Sequence, residues 1–158
     1  MNLRETDQLR WKHFSMPAQL DHPISLWSAL LDGRADGDVD VLYRWDPNST
    51  CPLHRHTCAM SSLVLEGELT VVDIDPDTGR ELGRVVKSAG TWVHKQPGDV
   101  HAENGWPEGT LALANLYTED GLLLETLAAD GRVIDRQTME PILAAVARRE
   151  AAGAGEGN

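Results

Sequence analysis

Cys51-Pro52-Leu53-His54-Arg55-His56-Thr57-Cys58 carries two histidines one residue apart. On an extended chain the side chains repeat every second residue, so both imidazoles fall on one face. Neutral imidazole is the commonest metal ligand, and a same-face pair is half of a metal site. The other half has to come from a later segment folded back beside it. His101, in Pro97-Gly98-Asp99-Val100-His101, follows a run of strand-like segments able to do that.

Outward from this stretch the texture is that of an all-β chain, with short apolar runs separated by Gly, Asp, Asn and Pro. Strands are predicted over 24–31, 39–45, the histidine segment, 61–72, 84–87, 91–95, 111–117 and 122–127. Glu66-Gly67 reads as a tight hairpin turn, because glycine accepts positive φ without steric cost. Trp106-Pro107-Glu108-Gly109 reads as another turn, and 73–83 as a loop or distorted hairpin. Asp130-Gly131 turns the chain into a last strand from Arg132. Residues 1–22 form an irregular arm or short helix, and 23–137 a sandwich or small barrel. A single helix is expected over 138–150, with Pro141 in its first turn and Ile142, Leu143 and Val146 on one apolar face. Residues 151–158 are expected to be a flexible tail.

The chain has 158 residues, enough for one domain with a real core, and a formal net charge of −11. That charge argues against a nucleic-acid partner. No apolar run approaches the roughly 20 residues of a membrane span. The N-terminal segment lacks an apolar signal core, so a cytoplasmic location and no membrane partner are expected. Cys51 and Cys58 are expected as thiols, one of them near the metal, rather than as a disulfide.

His54-Arg55-His56 with Gly67 eleven residues on, followed by Gly90 and Pro97-Gly98-Asp99-Val100-His101, resembles the two motifs of the cupin family. The likeness covers roughly residues 37–117. It implies an antiparallel β-barrel of the double-stranded β-helix or jelly-roll type, with these histidines as metal ligands. Cupins place a glutamate four residues after the second histidine, whereas this chain has Met60 there. A thioether suits soft metals better than Fe²⁺, Zn²⁺ or Mn²⁺. Glu66 and Glu68, at the expected turn, are poor substitutes. Glu103, two residues past His101, shares its face on a continuing strand and is the candidate fourth ligand.

Three neutral imidazoles leave a divalent metal its full charge and open positions, which suits a chelating enolate or carboxylate. Within the family, the chain resembles the acetylacetone and dihydroxyacetophenone dioxygenase group. The resemblance rests on length, on the three-histidine pattern and on Leu127-Ala128-Ala129-Asp130-Gly131-Arg132-Val133-Ile134. It implies a mononuclear non-haem Fe²⁺ dioxygenase, an oxidoreductase taking O₂ and a small diketone-like or hydroxyketone substrate and cleaving a carbon–carbon bond. Two alternatives stand beside it. One is a non-oxidative isomerase, lyase or cyclase with Zn²⁺, Ni²⁺ or Mn²⁺. The other is a ligand-binding or sensing module, as in cupins of the anti-sigma-factor type. Pairing as a homodimer, through edge strands and the N-terminal arm, is expected from the same likeness.

Cys58 and Met60 fall on the parity of the histidines and are candidates to line the pocket, as is Trp92. His13 and His22 read as surface or packing residues, and His94 as packing. Tyr43 and Arg44 read as ordinary strand residues, and Asp73, Asp75 and Asp77 as solvated loop acids.

Overall fold

The computed structural model describes residues 6–20 and 22–155. After a 3₁₀ turn at Thr6–Gln8 come β1 (Lys12–Met16), β2 (Ile24–Gly33), β3 (Asp38–Trp45), β4 (Ser49–Thr50), β5 (His54–His56) and β6 (Ala59–Ile74). They are followed by β7 (Glu81–Ser88), β8 (Trp92–Lys95), β9 (Val100–Tyr117), β10 (Leu122–Leu127), β11 (Val133–Thr138) and α1 (Met139–Gly155). Six strands close a barrel, the all-β architecture expected of a cupin. Among the described residues the pairings are antiparallel, save one parallel bridge from Ile24 to Thr50. No helix is long and apolar enough to cross a membrane.

The long strand β9 organises the barrel. Residues 110–117 lie between β3 and β6, and residues 100–105 between β6 and the short strands β4 and β5. Side chains alternate across it, so that two apolar layers form. Inside, Val39, Val41, Cys58, Met60 and Leu116 pack together, closed at one end by Met139. Further along the interior, Trp45, Val64, Leu69 and Val71 make a second cluster. On the opposite face of β3, Leu42 packs with Ala29 and Leu111 beneath Leu9 and Trp11.

Two expected turns are bulges within strands. β6 runs straight past Glu66-Gly67, with register shifts on either side. Gly67 does take positive φ (74°), and a Cβ there would lie 2.2 Å from the Gly109 carbonyl oxygen. The glycine is thus required by a close backbone approach, not by a reversal. Opposite it, Gly105 faces Leu69 and Thr110 faces Gly67, so residues 106–109 swell out against Glu68 alone. Glycine marks bulges as readily as turns, and only the partner strand distinguishes them.

The ends also differ from expectation. Residues 12–16 form an edge strand on β2, not an irregular arm or helix. Their side chains are almost all exposed, so no apolar alternation announces the strand. The helix reaches Gly155, past residue 150, because Ala, Arg and Glu are strong helix formers. The tail expected from 151 is therefore helical to 155, and 156–158 lie outside the described residues. The face formed by Ile142, Leu143 and Val146 does pack inward. Gly33 lets it approach: a Cβ there would lie 2.6 Å from Ile142 Cγ2.

Candidate metal centre

His54 on β5 lies directly opposite His101 on β9. Residues directly opposite on neighbouring strands share a face, so the two imidazoles meet, with His56 two positions along. The same row continues to Asp73 on β6 and Thr126 on β10. The three rings converge, with centroids 4.5 to 4.9 Å apart. One nitrogen from each lies within 4.8 Å of the others. His56 and His101 are buried and His54 is half-buried.

Local geometry prepares these rings to ligate. His54 Nδ1–H donates to the Pro52 carbonyl at 2.9 Å, which leaves the Nε2 lone pair free. His54 Nε2 and His56 Nε2 lie 3.1 Å apart. Two cis ligands, each about 2.1 Å from a metal, are separated by about 3 Å. His101 Nε2 is buried without a hydrogen-bond partner, a costly state unless something else satisfies it; His56 Nδ1 is also unpartnered, but on the ring's far side from the nitrogen that meets His54. Burial, then the neighbouring histidines and Lys95, hold His56 and His101 well below the usual imidazole range. Both rings are neutral at neutral pH. The residues therefore suit a divalent cation.

Lys95 Nζ lies 3.3 Å from His101 Nδ1, 3.1 Å from Asp99 and 3.5 Å from Asp73. An ammonium donates, so a neutral His101 in this geometry carries its proton on Nε2, toward Glu103. Ligation through that nitrogen requires the proton to move or leave.

Glu103 does reach the centre. Its Oε1 lies 3.8 Å from His101 Nε2, and its side chain is 12% exposed. With Cys51 and His54 it forms a second group whose ligating atoms lie within 4.8 Å of one another. Cys51 Sγ accepts from the Glu103 backbone N–H at 3.2 Å and lies 3.7 Å from His54 Nδ1. Burial and the Glu103 carboxylate push this thiol far up, so it stays protonated. The cysteine at the histidines is thus Cys51, and its signal in the sequence is the Cys51-x-x-His54 spacing.

Cys58 and Met60 are buried in the inner apolar cluster, with Met60 opposite Lys95. Burial pushes the Cys58 thiol up to about 11. Trp92 does not join them: it is 62% exposed on β8, opposite Leu63. Asp73 is not a loop acid, since it sits on β6 directly across from His101. Asp75 and Asp77 do lie at the β6–β7 turn, where the Asp75 carboxylate accepts from the backbone N–H groups of Asp77 and Thr78. His13 stacks on Trp27, and exposed His94 pairs with Ser61 and Gln96, both away from the centre. Lys95 had no signal in the sequence, because only strand register brings it to His101.

A small closed barrel with an inward group of three histidines defines a cupin of the metal-binding class. The family model described as the ChrR cupin-like domain matches residues 2–117, and the chain belongs to that family. No curated protein matches it. Among solved structures, a protein of Methylibium petroleiphilum PM1 with a provisional acetylacetone dioxygenase assignment is 18% identical. The alignment covers 90% of this chain and 92% of that one, with a TM-score of 0.65. An acetylacetone dioxygenase from Acinetobacter johnsonii is 14% identical over 86% of this chain and 85% of its own, with a TM-score of 0.61. A cupin 2 conserved barrel protein from Rhodopseudomonas palustris is 11% identical over 93% and 89%, with a TM-score of 0.57. At these identities the likeness is one of fold.

Proposed function

We propose that the protein is a mononuclear Fe²⁺ dioxygenase that cleaves a carbon–carbon bond in a small enolisable substrate. The observation that carries this reading is the convergence of three imidazoles, two of them held neutral by burial, with buried Met60 in place of the usual carboxylate. His54, His56 and His101 hold the metal. When bound, it supplies Lewis acidity toward a chelating enolate and a site for O₂. The chain's own part is to keep His56 and His101 neutral by burial. Met60 and Cys58 are placed to keep water from the inner end, and Glu103 to accept a proton or a coordination position beside His101.

Anaerobically purified protein should contain iron near one equivalent and consume oxygen with a β-dicarbonyl compound. Zinc alone, with no oxygen uptake across a panel of such compounds, overturns the reading. The nearly buried carboxylate of Glu103 favours a second one, metal-assisted isomerisation or lysis. Turnover that persists under strict anaerobiosis, restored by Zn²⁺, Ni²⁺ or Mn²⁺, would mark it.

A further inference from the structure

Lys87 on β7 lies directly opposite Leu69 of β6. Leu69 is 2% exposed and belongs to the inner cluster, so Lys87 also faces the barrel interior. One position along, Val71 pairs with Val85 on one side and with Glu103 on the other. Lys87 thus lies one row from Glu103 and two from His101, on their face of the sheet. Val85, which shares this inward face, is nevertheless 53% exposed, so the barrel is open along β7.

Lys87 differs from Lys95 in one respect that matters for ligands. Lys95 is neutralised by Asp99 and Asp73. Lys87 is half-buried, yet among the described residues it has no acid within ion-pairing distance. The acid whose charge reaches it most strongly is Glu103 of the centre, ahead of Asp73 and Asp99. A cation partly withdrawn from water without a partner is a standing cost that a bound anion relieves. In a chain of net charge −11 it is also a local exception that would draw an anion inward. β7 and β9 are two strand spacings apart, about 10 Å, and the two rows add about 13 Å along the strands, so the Lys87 and His101 backbones are about 16 Å apart. A lysine side chain, a small dicarbonyl acid and the imidazole that faces it together span such a gap.

We propose that Lys87 sets substrate specificity, and that the substrate is a 1,3-dicarbonyl acid whose carboxylate Lys87 binds while its enolate oxygens face the three histidines. This rests on the functional reading above, in which the centre takes an enolisable compound. The matched probes are pentane-2,4-dione and 2,4-dioxopentanoate, which differ by one methyl replaced with a carboxylate. Their binding to protein loaded with redox-inert Zn²⁺ is measured by calorimetry, so the result does not depend on oxygen chemistry.

The wild type should bind the acid about tenfold more tightly than the diketone. In Lys87→Met and Lys87→Gln, checked for zinc content and circular dichroism, that ratio should collapse to about one, and Lys87→Arg should keep most of it. An unaltered ratio in both neutral variants, or a wild type that favours the diketone or binds neither compound, overturns the proposal. Failure of the dioxygenase reading shows separately, as absent oxygen uptake by iron-loaded protein that still discriminates the two probes.

Discussion

Lowering the pH from 7.5 to 5.5 should destabilise the metal-free protein by an amount that two residues set. In the folded state burial keeps His56 and His101 neutral, while in the unfolded chain each takes up a proton near pH 6.5. The unfolded state therefore binds more protons below 6.5. The stabilising contribution is complete above that value and is lost as pH falls toward the native values. One pH unit below 6.5 the cost is about 1.4 kcal/mol for each ring, about 3 kcal/mol for the pair. With a urea slope of about 2 kcal/mol per molar, the unfolding midpoint should fall by about 1.5 M. Tryptophan fluorescence after chelator treatment reports it, since the chain has five tryptophans. Replacing His101 by Gln should remove about half of the pH dependence. A midpoint that moves by less than about 0.3 M would refute the claim that burial holds both rings neutral.

Removing metal with EDTA should lower Tm by about 5–10 °C, corresponding to about 2.7 kcal/mol at a hundredfold excess of metal over Kd. The His54→Ala/His56→Ala/His101→Ala variant should show no such shift, and stoichiometric metal in it would overturn the ligand assignment. Gly105→Ala should cost about 1–3 kcal/mol in urea unfolding, because the new Cβ would lie 2.4 Å from Trp45 Cβ. Gly83→Ala, on β7 with no atom within 4 Å of the new Cβ, should be neutral or slightly stabilising. Both thiols should resist a disulfide reagent at pH 8 and react fully in denaturant, since Cys51 and Cys58 are buried and held protonated.

His54 and His56 were legible because a two-residue period is a local property. Glu103 was legible for the same reason, once His101 was fixed by its turn. Parity also held at Cys58 and Met60, which lie in the inner apolar cluster although β5 ends at His56 and a new strand begins at Ala59. Asp73, Lys95 and Lys87 owe their places to which strands pair and in what register. One sequence read alone does not carry that information. Gly67 and Gly109 show the same gap: each takes positive φ, but the cause lies in the opposing strand. The edge strand Lys12–Met16 was lost for a different reason, since a ribbon exposed on both faces has no apolar rhythm to detect.

The shortness of β5 bears on how the chain stays folded. Three residues pair it to β10 and two to β9, and backbone hydrogen bonds just outside the strand, such as Leu127 N–H to the Leu53 carbonyl and Gly98 N–H to the His56 carbonyl, extend that pairing only a residue or two. Its His54 and the facing His101 are about 47 positions apart along the chain. An ion shared between them acts as a removable crosslink, tying off that loop in the way a disulfide would. By the same polymer entropy, such a tether is worth up to about 4 kcal/mol. A metal held there would act as a clasp, and β5 should be the first strand to fray when it leaves.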